Sequence, residues 1–376
     1  MSQWFTESFN AEFAKQAEEL GRVNIAVFGK TGVGKSTLVN AIFGAPVANT
    51  GIGAPVTMGS HIYLDDRGTL GIIDTRGVEI GRDDAELIKE LTDTVKQSRT
   101  RPLNDQIHVA WYCVRGMDRR FEDVEERFIR ALDELGLPVI VVLTQVPMRD
   151  GRFHPDAVEL ANQIKDRDLP IFGGRPFMTY ALRDQFSGQP PYGLIDVLRA
   201  TFHLAPEAVQ AALVASQEID LELKASHSNK TIAAAVTAAA AAAAVPIPFS
   251  SAAVLVPIQL SMMARIAHLH GFGLDKSALL AVASTSIATS AGRAAASSLL
   301  KFVPGAGSVA GGVINASVAS GFTLAMGQAW LVVCRQAFTK NLPMLDGKVD
   351  TEAVRHLFET ELAKRLPRIR QRAQVG

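Results

Sequence analysis

Gly29-Lys30-Thr31-Gly32-Val33-Gly34-Lys35-Ser36-Thr37, set between the apolar run Val23–Phe28 and the helix-like run Leu38–Phe43, is the stretch that decides the fold. It spells G-x-x-x-x-G-K-[ST] between a strand and a helix, the pattern of a phosphate-binding loop. Glycines let successive backbone N–H groups curl round an anion, and the N-terminus of the following helix adds a positive dipole end. Lys35 is expected to reach the outer phosphates and the Ser36 hydroxyl to ligate Mg²⁺. All nine residues, Gly29 to Thr37, are therefore candidate nucleotide contacts.

The chain has 376 residues, enough for two domains. Lys+Arg and Asp+Glu are both 38, so no global field draws it to nucleic acid or membrane, and any such attraction must be local. Cys113 and Cys334 lie far apart in apolar runs and suggest reduced, buried thiols of a cytosolic protein. The N-terminal segment carries Glu7, Glu12, Glu18 and Glu19, which does not fit a secretory signal. Hydrophobic residues reach 48 %, unevenly spread: residues 231–264 and 302–334 contain no charge. Each stretch exceeds the about 20 apolar residues that a bilayer crossing needs.

The first half alternates strands with helices. Strand-like runs follow the loop at His61–Leu64 and Thr69–Asp74, joined by the turn Asp65-Asp66-Arg67-Gly68, and then at Ile107–Val114, Val139–Thr144 and Pro176–Tyr180. Helical patterns cover 4–20, 83–99, 120–135, 154–166 and 192–203, while 38–58 loses its period after the first helix. This order predicts an α/β domain with a mostly parallel sheet covered by helices on both faces, its ligand beyond the carboxyl ends of the strands.

Asp74-Thr75-Arg76-Gly77 ends an apolar run about 40 residues after the loop and resembles the D-x-x-G box of GTPases. The resemblance implies Asp74 at Mg²⁺ and Gly77 sensing the γ-phosphate. Thr57, in Ala54-Pro55-Val56-Thr57, is similar to the switch threonine of Era-like GTPases and would join Ser36 and Asp74 at the metal; Thr50 is the alternative. Lys35, Thr57 and Gly77 form the implied catalytic set, with GTP or GDP and Mg²⁺ as cofactors. At the base-reading box [NT]-K-x-D the chain has Thr144-Gln145-Val146-Pro147. Thr144 matches, Gln145 could lay its stem on the base, and Ala181 completes the implied nucleotide set. Pro147 replaces the guanine-reading aspartate, and Asp150 is the candidate substitute. Val78-Glu79-Ile80 lacks the water-orienting glutamine of Ras-like enzymes and resembles the TrmE-Era-EngA-septin branch. Gly32 stands where K⁺-activated members carry asparagine. Slow hydrolysis is expected, with Arg76 and Lys30 as candidate cations that more readily read as solvated loop residues.

The second half changes character. Residues 204–228 read as one amphipathic helix, Ala233–Ala244 is nearly poly-alanine, Pro246 and Pro248 end it, and Phe249–Met263 resumes as an apolar helix. Small-residue spacing marks 278–296 and 308–334. Val245-Pro246-Ile247-Pro248, Val256-Pro257-Ile258, His270-Gly271-Phe272, Phe302-Val303-Pro304-Gly305 and Ile314-Asn315-Ala316 resemble the C-terminal domain of YcjF-type bacterial proteins, which has no assigned reaction. His268 and His270 face apart on a helix and read as structural. The tail 350–376 predicts an amphipathic helix through Val354, Leu357, Phe358 and Leu362, ending in five cations between Lys364 and Arg372. The expected organisation is a helix over 1–21, an Era-like GTPase domain over 22–203, an apolar, Ala-rich all-α domain over 204–340 and a basic helix over 341–376. The expected activity is a guanine-nucleotide switch whose cytoplasmic GTPase domain is membrane-associated through lipid contacts of 231–334 and the tail. A soluble RNA-binding or ribosome-assembly GTPase, in which nucleic acid is the partner, and an oligomerising dynamin-like or interferon-inducible-like GTPase, with a second copy of the chain in a homodimer as partner, are the alternatives.

Overall fold

Every residue of the strand Val23–Phe28 is buried. Its period of two sends Val23, Ile25 and Val27 to one face and Ala26 and Phe28 to the other. The same alternation continues in the next two parallel strands, with Val109, Trp111, Cys113, Ile140 and Val142 on the first face. Ala110, Tyr112, Val114, Val139, Val141 and Leu143 line the second. A sheet buried on both faces needs a helical layer on each.

The computed structural model describes residues 3–44, 54–57, 60–75, 84–185, 188–244, 251–272, 316–345 and 348–373. In chain order the elements are α1 (Gln3–Leu20), β1 (Val23–Phe28), α2 (Lys35–Phe43), β2 (Ala54–Thr57), β3 (Ser60–Leu64), β4 (Leu70–Thr75), α3 (Asp84–Arg99), β5 (Val109–Arg115) and α4 (Asp123–Glu134). There follow β6 (Val139–Thr144), β7 (Met148–Arg149), β8 (Arg152–Phe153), α5 (Pro155–Asp166), β9 (Phe177–Met178), α6 (Leu194–Leu204), α7 (Glu207–Ser216) and α8 (Leu221–Ala244). The chain closes with α9 (Ser251–Leu269), α10 (Ala316–Phe338), β10 (Met344–Leu345), β11 (Lys348–Val349) and α11 (Thr351–Ala373).

Two units emerge: Leu20–Asp220, and Met1–Glu19 together with Leu221–Gly376. The first holds a seven-stranded sheet of order β2-β3-β4-β1-β5-β6-β9. Strands β4, β1, β5, β6 and β9 run parallel, and β3 and β2 add antiparallel pairings at one edge. Helices α2, α6 and α7 pack on one face, and α3, α4 and α5 on the other. The fold class is as expected.

Several boundaries differ from the sequence reading. The sheet unit runs to Asp220 rather than 203, because Val209, Ala212 and Leu213 of α7 belong to its core. The single helix expected over 204–228 is broken: the buried Gln217 side chain accepts from the Ile219 and Asp220 N–H groups (2.8 and 2.7 Å) and donates to the Asp220 carbonyl (2.9 Å). A side chain that satisfies the backbone locally competes with helix continuation. Ala54–Thr57, aperiodic in sequence, is an edge strand held by its pairing with β3. The helix expected over Phe249–Met263 continues to Leu269, with Pro257 inside it. Only Phe177 and Met178 of the run Pro176–Tyr180 form a strand, since Tyr180 turns to pair with Tyr192.

The segments 1–21 and 341–376 are not separate either, because both supply the helical core. Phe13 of α1, Ile232 and Ala235 of α8, Met263 and Ile266 of α9, and Trp330 and Cys334 of α10 pack with Val354 and Phe358 of α11. Trp330 is fully buried, and its indole N–H donates to the Met263 carbonyl at 2.9 Å. A side chain at Gly327 would place Cβ 2.8 Å from Ile232 and 2.9 Å from Met262, so the glycine sets how closely α10 approaches α8 and α9. The fully buried Lys224 ammonium donates to the Leu269 carbonyl at the end of α9 (2.7 Å) and lies 5.0 Å over the Phe338 ring. Among the described residues one helix, α10, is long and apolar enough to cross a membrane, and 56 % of its apolar window is buried within the protein. Both cysteines are buried, and among the described residues neither forms a disulfide. His268 and His270 serve structure: His268 stacks on Phe13 at 4.0 Å and bonds its carbonyl at 2.9 Å, and His270 bonds the Ile266 carbonyl at 3.0 Å. The run 278–296 lies outside the described residues, as does 308–334 up to residue 315.

Two outcomes follow from this packing. Gly327→Val should destabilise the helical unit by about 1–3 kcal/mol through overpacking, read by chemical denaturation. Burial, aided by the Lys224 and Arg335 charges and against the Ile266 carbonyl, pushes His270 down to about 4. Burial with Lys230 and Arg265 does the same to His227. Both are neutral in the fold and protonate more readily unfolded, so their stabilisation is complete above about pH 6.5 and is lost as pH falls toward 4. For His270 a depression of that size corresponds to roughly 3 kcal/mol. Thermal unfolding should show this slope, and His270→Asn should flatten it.

Candidate functional site

The phosphate loop lies at the carboxyl end of β1, where the chain reverses from strand to helix. Gly29 has φ +130°, and a Cβ there would lie 2.2 Å from the Cys113 carbonyl oxygen of neighbouring β5. Only glycine fits. Gly34 is the N-cap of α2 with φ +97°, and no side chain caps that helix. The first N–H groups of a helix have no intrahelical acceptor, so those following Gly34 are available to an anion. Gly32 and Ser36 are exposed, Thr37 and Lys35 are half-buried, and Val33 is buried. The Lys35 ammonium folds back on the loop and donates to the carbonyls of Gly29 (2.8 Å) and Lys30 (3.1 Å).

Strand register brings Asp74 to this edge, because its backbone lies opposite Val27 of β1. Its oxygen donors and the Ser36 hydroxyl are the hard ligands that Mg²⁺ prefers. Thr57 is not brought to them: β2 lies two strands beyond β4, about 14 Å from β1 at ordinary strand spacing. The Thr57 backbone pairs with Ser60 at the sheet edge, and the Thr57 and Asp74 side chains lie outside what the structure describes. Among the described residues no cluster of His, Cys, Asp and Glu forms a metal site of its own. Thr50, Arg76, Gly77, Val78, Glu79 and Ile80 lie outside the described residues.

The base-side residues form a second shelf at the ends of β6 and β9. Thr144 is buried, and its hydroxyl lies within hydrogen-bond distance of the carbonyls of Val33 and Val114 (3.2 Å to the latter). It therefore fixes the phosphate loop from below rather than offering a free group to a base. Gln145 takes a left-handed backbone (φ +54°), and its side-chain amide reaches the Gly32 carbonyl at 3.4 Å. A non-glycine residue in that region carries strain of order 1–3 kcal/mol, held here by the surrounding bonds. The Val146 N–H bonds the Thr179 carbonyl at 3.1 Å, which sets half-buried Ala181 on the same shelf. Pro147 is exposed and opens the β7–β8 hairpin, whose tip is Asp150-Gly151 with φ +51° and +73°. At that tip the Asp150 side chain is 92 % exposed and pairs with Arg149 at 3.9 Å.

Sequence reasoning missed one polar cluster. The Lys30 ammonium, read as solvated, bonds Glu122 at 3.0 Å and lies 3.9 Å from the buried Glu125. Burial works against its charge, and the bond to Glu122 with the Glu125, Glu122 and Asp118 charges outweighs it and raises the Lys30 pKa. Burial lifts the Glu125 carboxyl above its ordinary value, against the Glu122 N–H and the Lys30 charge. The signal was the acidic start of α4, where Glu122 and Glu125 form a capping box.

Residues 24–145 match the sequence family described as 50S ribosome-binding GTPase. That stretch is a P-loop GTPase domain. The match ends within the base-side shelf, and through it the domain is assigned guanine-nucleotide binding and the enzyme class of GTP hydrolases. No curated protein matches the chain. Among solved structures it is similar to a probable GTP-binding protein engB (20 % identity, 48 % of this chain and 98 % of that one, TM-score 0.33). Era of Aquifex aeolicus with GDP and aluminium fluoride gives 17 % identity over 50 % of this chain and 58 % of that one, TM-score 0.33. NFeoB of S. thermophilus gives 14 % over 93 % and 99 %, TM-score 0.28.

The tether under the loop can be tested directly. Thr144→Val removes the hydroxyl and leaves the Val33 carbonyl without it, which should weaken nucleotide binding by roughly tenfold, the worth of one buried hydrogen bond. Thr144→Ser should retain most of the affinity in the same titration.

Proposed function

We propose that the GTPase domain is a Mg²⁺-dependent switch that hydrolyses GTP slowly and passes its state to a helical unit in peripheral contact with a membrane. The observation that carries the nucleotide part is the convergence at the end of β1 of Lys35, Ser36, the uncapped α2 N-terminus and the Asp74 backbone. Bound Mg²⁺ would be held by Ser36 and Asp74 and would neutralise charge on the phosphates. Lys35 exchanges its two loop carbonyls for phosphate oxygens. Thr57 joins only if β2 leaves its pairing with β3, which makes release of that edge strand the natural switch movement. Val78, where a glutamine would orient water, supports slow turnover.

Coupling has a route through α2. The helix starts at Lys35, its Ile42 carbonyl accepts from the Glu218 N–H at 2.9 Å, and α8 begins at Leu221. Asp220 is pinned by Arg199 at 2.8 Å. The likeness of the second half to the YcjF-type domain supports the pairing of a switch with a helical reader and brings no reaction of its own. Membrane contact is supported by the apolar α10 and by the cations between Lys364 and Arg372, of which Lys364 and Arg365 also pair with Glu361.

Calorimetric titration of the full chain should give Mg·GTP binding that Lys35→Ala abolishes; unchanged affinity in that variant would remove the phosphate-loop assignment. GTP should be preferred to ATP, with a margin narrowed by Pro147, and equal affinities would sink guanine selectivity. Co-sedimentation with vesicles of anionic phospholipid tests the membrane contact. Protein left wholly in the supernatant, with either nucleotide, would end that part of the proposal.

A further inference from the structure

Three side-chain contacts tie the phosphate loop to its surroundings. Thr144 meets the Val33 carbonyl, Gln145 approaches the Gly32 carbonyl at 3.4 Å, and at the loop's start Lys30 reaches across to the N-terminus of α4. The first two come from the strand end expected to serve the base. The third stands at a variable position of the motif.

We propose that Lys30, Glu122 and Glu125 form a clamp that pre-sets the phosphate loop for its nucleotide, with Lys30 a positioning residue; this rests on the GTPase reading above. The anchor is rigid. The Glu122 side chain accepts from the Glu125 N–H, and the Glu125 carboxylate accepts from the Glu122 N–H at 2.8 Å, which closes the capping box. Glu125 is only 2 % exposed and receives the Tyr112 hydroxyl of β5 at 3.5 Å, so the clamp stands on the strand beside β1. Lys30 joins this anchor to the loop at two points: its ammonium holds α4, and its carbonyl is one of the two acceptors of Lys35. Gly29, Gly32 and Gly34 all have positive φ, and a loop so rich in glycine loses much freedom when it orders. Ordering it before the ligand arrives removes that cost from binding. The carboxylates also hold the ammonium, so Lys30 acts through the loop's shape rather than as a charge on the transferred phosphate.

The test uses the full chain with Mg²⁺ and a fluorescent GDP analogue, comparing Lys30→Met, Glu122→Gln and the double variant. Each single change should speed nucleotide release about 3–10-fold, the range for one partly exposed ion pair that orders a loop. In steady-state hydrolysis KM should rise while kcat stays within about twofold of wild type, as for loss of ground-state positioning. The double variant should be no worse than the harsher single, and Lys30→Glu with Glu122→Lys should recover part of the loss. Wild-type release from Lys30→Met would overturn the clamp while leaving the GTPase reading intact. A fall in kcat at constant KM would overturn it too, by moving Lys30 to the transition state. So would additive effects in the double variant, which would make the two side chains independent. Failure of the wild-type chain to bind guanine nucleotide would instead remove the GTPase reading and the clamp with it.

Discussion

The turn from β1 into α2 exists only because residue 29 has no side chain. A Cβ at Gly29 would sit 2.2 Å from the Cys113 carbonyl oxygen, inside any allowed contact, on a strand that is itself buried from Val109 to Val114. Neither partner can retreat: β5 is paired with β1 on one side and β6 on the other. The loop therefore leaves the sheet edge at one angle, which points the N-terminus of α2 at the space beyond the strands. Asp74 and Thr144 reach that same edge through parallel pairing, Ala181 follows β9 through the Val146–Thr179 bond, and the constellation is set by sheet register once Gly29 permits the reversal.

Around that turn the molecule divides its labour unevenly. The phosphate side is over-determined, with glycines at three positive-φ positions and tethers from α4 and β6. The base side carries less. Pro147 offers no acceptor from a side chain, Asp150 is spent on a hairpin tip in solvent, and Thr144 is turned inward. The contacts that hold the site in shape are thus concentrated on its phosphate side.

How much of this was legible in the sequence depends on the range of the interactions. The strands of the sheet were visible because alternation such as Val109-Ala110-Trp111-Tyr112 is a local property, and the phosphate loop because its four fixed residues lie within eight positions. Helix α1 was visible as an amphipathic segment, but not its membership of the helical core, which rests on Phe13 meeting His268 more than 250 residues later. The α7–α8 break was hidden because Gln217 is an ordinary helix former until its side chain turns back on Asp220. Lys30 looked like a solvated loop residue because its partners are 92 and 95 positions away. Edge strand β2 gave no period because it is only four residues long and is placed by its pairing with β3.

The helical unit is discontinuous in the chain, assembled from residues 1–19 and 221–376. Phe13 can reach its place against His268 only after residue 268 has been made, and Trp330 gains Val354 and Phe358 later still. The sheet unit has no such debt, since every strand and both helical layers lie within residues 20–220. Emerging from the ribosome, the catalytic unit can close while α1 waits with its apolar side uncovered. Synthesis thus permits an order of assembly: the sheet unit can close before the helical unit has all of its parts.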